Sequence, residues 1–240
     1  MNITMVAAHT GCGIYPDNTM ASFQEGIKFG SDIVEVDVRV TQEGTAILLH
    51  DDSPYLLTHT YEQLNNPDVR PLLDPAYKEH EIATLAQVLR VSDPIGMKLN
   101  LDLKTADAID PTVKLIRQYE ALKRVFITGC SEGMTERFPD VQVMLNTPVE
   151  LSSRHSERYD EFAESICQEA RRGGYVGLNM NALTCRQEVV DRAHDSGLLV
   201  WVYTVNDRPT MERFLGMRID AITTRAPKIL MELISASKQL

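Results

Sequence analysis

The feature that most constrains the fold of this chain is the run DIVEVDVR at residues 32–39. Valines alternate in it with Glu35 and Asp37. An extended chain places the valines on one face and the two carboxylates on the other. Two adjacent buried carboxylates repel each other and lose hydration unless a cation lies between them. The run therefore predicts an acidic outer strand or, if its polar face points into a barrel, a cation site.

The rest of the chain alternates strand patterns with helix patterns. Counting them predicts eight main strands interleaved with helices, which is typical of a parallel (β/α)8 TIM barrel. The length of 240 residues suits a single barrel domain over residues 1–240. A doubly wound open sheet is the alternative, but no glycine-rich phosphate loop follows the first strand. Prolines interrupt the periodicity over residues 51–83, which predicts an insertion over one end of the barrel after the second strand region.

A second strand repeats the alternation at residues 98–104, where leucines separate Asn100, Asp102 and Lys104. In a barrel the polar set points inward near the carboxyl end, where barrel enzymes have their sites. Asp102 would then join Glu35 and Asp37 in a site of three carboxylates. Hard divalent cations prefer oxygen ligands, so one Mg²⁺ or Ca²⁺ is favoured over zinc. An ion pair between Asp102 and a lysine of its own strand is the alternative.

Two histidines are candidates for proton transfer. His9 follows the first strand, and His50 follows an extended run at residues 45–49. Both are expected near the mouth that holds the three acids. A lone histidine is more often structural than catalytic, but this grouping favours acid–base chemistry.

Composition limits the class of partner. The net charge of −10 argues against a general nucleic-acid or anionic-membrane surface but allows a small anionic substrate held by a metal. No apolar run is long enough to span a bilayer, and no signal peptide is visible at the amino terminus. The four cysteines are scattered without a CxxC pair, which predicts a cytoplasmic protein.

Several short motifs together carry a resemblance to a known family. In chain order they are His9-Thr10, Pro16-Asp17-Asn18-Thr19, Glu35-Val36-Asp37-Val38, His50-Asp51, Leu101-Asp102-Leu103-Lys104, Tyr203-Thr204-Val205-Asn206 and a closing segment from Asp220 to Pro227. The ordered set resembles the glycerophosphodiester phosphodiesterases. The resemblance implies metal-dependent hydrolysis of a glycerophosphodiester to glycerol 3-phosphate and an alcohol. It also implies that His9 and His50 are the general acid and base.

The sequence departs from the family pattern at four of these positions. Thr10 and Arg225 stand where the family has arginine and aspartate, Asp102 replaces a metal-binding glutamate, and Tyr203 replaces tryptophan. Because the first and last strands of a closed barrel are neighbours, Arg225 could supply the guanidinium that is missing at position 10. The alternative is that Arg225 is a solvated loop residue. Lys104 and Tyr203 complete the predicted substrate-binding residues.

Two further functions stay open at this point. One is another phosphodiester- or phospholipid-cleaving enzyme on the same barrel, in which residues 55–57 touch acyl chains. The other is a non-catalytic barrel that binds a phosphodiester. In each case we expect a small-molecule ligand, no nucleic acid and no stable membrane insertion. The sequence does not predict the oligomeric state.

Overall fold

The structure is a computed structural model that describes residues 4–10 and 12–237. The two ends of the predicted 1–240 domain lie outside these residues. The strands in the described ranges are β1 (Met5–Ala8), β2 (Ile33–Val40), β3 (Ala46–Leu48), β4 (Lys98–Leu103), β5 (Val125–Gly129), β6 (Gln142–Asn146), β7 (Gly177–Asn181), β8 (Leu199–Tyr203) and β9 (Ala221–Thr224).

Eight of these strands form a closed parallel barrel. The hydrogen-bonded order is β1-β9-β8-β7-β6-β5-β4-β2, and pairing of β1 with β2 closes the ring. The predicted TIM barrel is therefore confirmed.

Strand β3 lies outside the ring. It pairs antiparallel with the end of β2, with Val38 opposite Leu48 and Val40 opposite Ala46. A sharp turn thus follows β2, and the chain runs back along it before reaching His50. The extended run predicted at residues 45–49 exists, but it forms a hairpin with a barrel strand.

Helices cover the outside of the barrel. They are α1 (Met20–Lys28), α2 (Tyr61–Leu64), α3 (Leu85–Ser92), α4 (Ile109–Gln118), α5 (Met134–Arg137), α6 (Ser153–Glu157), α7 (Tyr159–Arg172), α8 (Gln187–Asp195), α9 (Arg208–Gly216) and α10 (Pro227–Ser237). Several begin at side-chain caps: the Thr19 hydroxyl accepts from the backbone N–H of Ser22, and Thr84 and Gln87 form a capping box at α3. In the described ranges, none of the helices combines the length and apolar character needed to cross a bilayer.

The valines of the opening run are buried as their alternation predicts. Val34, Val36 and Val38 are at most 1% exposed and pack with α3 and α4 side chains such as Leu89 and Ile116. Full burial of each such side chain stabilises the fold by about 1.5–3 kcal/mol. This packing turns the polar face of β2 toward the barrel interior.

The segment between β3 and α3 has an apolar cluster of its own. Leu56, Leu64, Tyr77 and Ile82 pack there with Ile47 of β3. Short 3₁₀ helices (Pro54–Leu57, Arg70–Leu72 and Pro75–Lys78) and helix α2 connect these side chains. The Tyr77 hydroxyl donates to the Leu48 carbonyl at 3.2 Å, which ties the segment to the hairpin.

Candidate active site

A cavity of about 480 Å³ opens at the carboxyl ends of the barrel strands. Side chains from at least six strands and the loops after them line it. The lining residues are His9, Glu35, Asp37, His50, Asn100, Asp102, Leu103, Lys104, Thr128, Gly129, Cys130, Asn146, Asn179, Tyr203, Thr204 and Thr223.

Three carboxylates meet on one wall of the cavity. Glu35, Asp37 and Asp102 each offer an oxygen within 4.8 Å of the others, and Asp37 lies opposite Asp102 in the pairing of β2 with β4. Glu35 and Asp37 are only 6% and 2% exposed. Burial, and then the charges of Asp37 and Asp102, raise the pKa of Glu35 well above its ordinary value. The fold therefore disfavours the ionised form of Glu35 unless a positive charge lies beside it.

Lys104 lies against two of these carboxylates. Its Nζ is 2.7 Å from Asp37 Oδ1 and 2.5 Å from Asp102 Oδ2. Burial opposes the charged ammonium, but the two aspartates outweigh burial and raise the pKa of Lys104 to about 12. Asp102 thus belongs to the carboxylate cluster and is also paired with a lysine of its own strand, so the two alternatives weighed for it coexist.

The loop after β1 holds the acids in place. Asn18 adopts a left-handed backbone conformation with φ 58°. Its Nδ2 donates to Asp37 Oδ2 at 2.7 Å, and its Oδ1 accepts from the Asp37 backbone N–H at 3.1 Å. The Thr10 N–H donates to Glu35 Oε2 at 3.2 Å, while its hydroxyl accepts from the Asn18 N–H at 2.6 Å. Two carboxylates are therefore oriented by one short loop.

His9 lies on the same wall and is partly buried. Its Nδ1 is 2.9 Å from the Thr10 carbonyl oxygen, which can only accept, so Nδ1 carries the proton and Nε2 is left for other partners. Burial lowers the pKa of His9, opposed by this hydrogen bond, and the positive charge of Arg225 lowers it further. The ring is therefore neutral near pH 7.

His50 lies at the outer edge of the cavity. Its side chain is 66% exposed, and its Nδ1 lies 2.7 Å from Asp51 Oδ1. The Arg39 side chain at the end of β2 donates to the His50 carbonyl at 3.0 Å, which anchors the turn after β3. The structure thus brings His9 and His50 to one cavity, as the sequence predicted.

The remaining predicted substrate residues lie at different depths. Tyr203 lines the cavity, and burial raises the pKa of its phenol. Arg225 lies at the rim, where its guanidinium forms a two-fold ion pair with Asp17 of the β1–α1 loop; the Nη1 to Oδ1 distance is 3.1 Å. The guanidinium is close enough to influence His9 but is not part of the cavity wall.

Comparison with known proteins identifies the family. Residues 9–229 match the model of the glycerophosphoryl diester phosphodiesterase family. This chain belongs to that family. It is therefore an enzyme of the phosphoric diester hydrolase class.

Curated relatives cover nearly the whole chain. The Mycobacterium tuberculosis protein named "Probable glycerophosphodiester phosphodiesterase 2" is 30% identical, over 95% of this chain and 90% of its own. A glycerophosphodiester phosphodiesterase of Caldanaerobacter subterraneus is 23% identical, over 96% and 98%.

Solved structures share the fold. An Oleispira antarctica phosphodiesterase in complex with the product sn-glycerol-3-phosphate aligns with a TM-score of 0.79 at 20% identity, over 97% of both chains. A glycerophosphodiester phosphodiesterase from Agrobacterium tumefaciens aligns with a TM-score of 0.76 at 18% identity, over 95% of this chain and 99% of its own.

Several residues of this phosphodiesterase site were not among the predicted site residues. Asn18 and Thr128 each hydrogen-bond a cluster aspartate, and Asn146 and Asn179 line the cavity. The period-2 alternation that singled out Glu35 and Asp37 also applies to strands β5 to β7, and it could have indicated the inward side chains there. Gly129 shows a further constraint: a Cβ at this position would lie 2.7 Å from Asp102 Oδ1 and 2.2 Å from the Leu103 carbonyl oxygen.

Proposed function

We propose that this enzyme hydrolyses glycerophosphodiesters to glycerol 3-phosphate and an alcohol with the help of one divalent cation. The observation that carries the proposal is the meeting of three carboxylates and two histidines on one cavity in a chain of this family. The small, polar cavity suits a phosphodiester of low molecular mass as substrate. A cytoplasmic location is part of the proposal, because all four cysteines are free thiols.

The carboxylate cluster fits a hard cation by its donor chemistry. It offers oxygen ligands alone, and two of the three residues are buried. Burial, and then the negative charges of Asp37 and Asp102, raise the pKa of Glu35, and a cation would offset both effects. Glu35, Asp37 and Asp102 would hold Mg²⁺ or Ca²⁺, which would neutralise charge on a phosphate oxygen of the bound substrate. The Asp102 side chain is shorter than that of glutamate. Either a water would fill the gap between Asp102 and a bound ion, or the ion would be Ca²⁺, which tolerates looser distances.

The two histidines divide the proton transfers. His9 is neutral near pH 7 and keeps Nε2 unprotonated, so it acts as the general base that takes a proton from the attacking water. His50 lies at the exposed edge, where the alcohol can leave into solvent, and it acts as the general acid toward the leaving oxygen. Asp51 keeps the His50 ring oriented for this transfer.

Two other side chains bind the substrate in this proposal, and a third attracts it. The Lys104 ammonium, which is paired with Asp37 and Asp102, moves partly away from them and contacts a phosphate oxygen as a point charge. Tyr203 donates its phenolic hydrogen from the opposite wall. Arg225, held by Asp17, provides positive charge at the rim, where it attracts the anionic substrate.

The first prediction tests the cation site with Asp37→Asn. The substitution removes one ligand charge but leaves the apolar face of β2 untouched. We expect turnover of glycerophosphocholine to fall by about 100-fold or more, and Mg²⁺ or Ca²⁺ affinity measured by calorimetry to fall with it. A chelator should abolish the activity of the unmodified enzyme.

A matched control is Asp140→Asn, which makes the same change of charge in an exposed ion pair with Arg117 on the outside of the barrel. It should keep full activity and metal affinity. Unchanged metal affinity in Asp37→Asn, or full activity of the unmodified enzyme after chelation, would show that the proposed cation site is wrong.

A lipid-bound phosphodiester is the second candidate substrate. Large apolar side chains are exposed on loops after β1, β6 and β7: Ile14 is 88% exposed, Val149 56% and Leu183 89%. Leu57, in the segment after β3, is 74% exposed. Of residues 55–57, Leu56 is buried, so Leu57 is the side chain available to an acyl chain. Faster cleavage of micellar lysophosphatidylcholine than of soluble glycerophosphocholine would favour this candidate over the first.

A further inference from the structure

Two amide side chains that line the cavity, those of Asn100 and Asn179, are called its floor. Asn100 lies on β4 and pairs in register with Glu35, two positions before Asp102. Asn179 lies on β7, on the far side of the barrel from β2. The two asparagines are 4% and 6% exposed, yet both line the cavity.

The orientation of the Asn179 amide follows from its neighbours. The Gly129 carbonyl can only accept, so Asn146 donates to it with Nδ2, at 3.2 Å. Asn146 Oδ1 then faces Asn179, whose Nδ2 donates to it at 2.9 Å. This chain of donors leaves Asn179 Oδ1 without a hydrogen-bond partner among residues 4–10 and 12–237.

Asn100 is also incompletely paired. The Thr128 hydroxyl lies 3.0 Å from Asn100 Oδ1 and 2.9 Å from Asp102 Oδ1, but it has one proton to donate. The amide oxygen of Asn100 faces Thr128, and its amide nitrogen has no hydrogen-bond partner in the described part of the chain.

An apolar layer closes the barrel below these amides. Trp201, Phe126 and Met144 belong to it, and Trp201 pairs in register with Asn179. Trp201 is fully buried, and its indole N–H has no acceptor among the residues that the structure describes. Asn100 and Asn179 line the cavity, so a polar guest there can pair with the amide groups that have no protein partner.

We propose that Asn100 and Asn179 form a subsite for the hydroxyl groups of the glycerol part of the substrate. This inference rests on the proposed function. A hydroxyl group donates and accepts, so it can satisfy an amide oxygen and an amide nitrogen alike. The closed floor receives the glycerol that all these substrates share, while the open mouth admits alcohols of different size. The subsite then selects glycerophosphodiesters among phosphodiesters.

The test compares two substrates in Asn179→Ala. Glycerophosphocholine has the glycerol hydroxyls, whereas bis(p-nitrophenyl) phosphate has none. We expect kcat/KM for glycerophosphocholine to fall by about 10–100-fold, and to fall at least about tenfold more than for the hydroxyl-free diester. Gln142→Ala is the matched control, because it removes an amide that donates to the Leu122 carbonyl and does not line the cavity. It should change both rates equally.

A binding measurement separates this inference from the proposed function. With bis(p-nitrophenyl) phosphate as reporter, the inhibition constants of sn-glycerol 3-phosphate and ethyl phosphate are compared. We expect the unmodified enzyme to prefer the glycerol compound by about tenfold and Asn179→Ala to lose that preference.

Equal inhibition in the unmodified enzyme, or equal losses for the two substrates in Asn179→Ala, would overturn the subsite. Absence of glycerophosphocholine cleavage by the unmodified enzyme would overturn the proposed function, while the inhibition constants would still test the floor. If Asn179→Ala does not fold, Asn179→Ser replaces it.

Discussion

At the scale of single residues, short polar residues orient the groups of the site through local hydrogen bonds. Thr10 is 4% exposed and connects three groups: its carbonyl accepts from His9, its N–H donates to Glu35 and its hydroxyl accepts from Asn18. A threonine at a position where the family has arginine therefore keeps a structural role. The Arg225 side chain, which follows the last barrel strand, pairs with Asp17, 208 residues away in the sequence.

A second prediction concerns His9 and His50. Each single alanine variant should lose about 10²–10⁴-fold in kcat, the usual contribution of a positioned acid or base. The double variant should lose less than the product of the two factors, because both side chains serve one reaction. Steady-state kinetics with glycerophosphocholine measures all three variants.

His155 provides the control for these variants, since it is an exposed histidine of α6 outside the cavity. His155→Ala should keep the activity of the unmodified enzyme. Full activity in either His9→Ala or His50→Ala would remove that histidine from the mechanism.

At the scale of elements, the β2–β3 hairpin determines where His50 lies. Ile47 of β3 is fully buried, against the cluster between β3 and α3. The Leu49 N–H donates to the Asp37 carbonyl at 3.2 Å, so the hairpin connects the turn of His50 directly to a strand that carries two of the acids. Packing of this hairpin is therefore expected to affect catalysis as well as stability.

A third prediction compares Ile47→Ala with Ile116→Ala on α4. Both isoleucines are fully buried, so each variant should lose about 2–5 kcal/mol in free energy of unfolding, measured by urea denaturation. Only Ile47→Ala should also lower kcat, by about tenfold, because it loosens the support of His50. Equal kcat values in the two folded variants would contradict a role of the hairpin in positioning that histidine.

At the scale of the whole molecule, barrel closure concentrates charge. The chain has a net charge of −10, and three of its carboxylates meet within 4.8 Å at one end of the barrel. The folded state therefore contains a repulsion that the unfolded chain largely avoids. A bound cation should relieve it and stabilise the protein.

The fourth prediction is that Mg²⁺ or Ca²⁺ raises the melting temperature relative to protein in a chelator. At a free concentration 100 times the dissociation constant, the stabilisation is about 2.7 kcal/mol, or about 5–10 °C for a chain of this size. The pKa of Glu35 is raised in the metal-free fold above its ordinary 4.5, so the stability tied to its protonated form is lost as pH rises through the folded pKa. The shift produced by the cation should thus be larger at pH 8 than at pH 5.

Scanning calorimetry at the two pH values measures this shift. In Asp37→Asn the cation should produce little shift at either pH, because one ligand is missing. A cation effect of equal size in that variant would assign the stabilisation to another part of the molecule.

The sequence alone determined the features that follow the two-residue alternation of side chains along a strand. Alternation with valines and leucines predicted which faces of β2 and β4 are polar, and the order of elements predicted the barrel. Tertiary structure decided the features that join distant strands. The amide floor formed by Asn100 and Asn179 and the Arg225–Asp17 pair depend on closure of the ring, whereas the position of His50 depends on packing of the β2–β3 hairpin outside it. Side-chain alternation is a local property of the backbone, whereas partners from different strands are chosen by register and packing across the whole barrel.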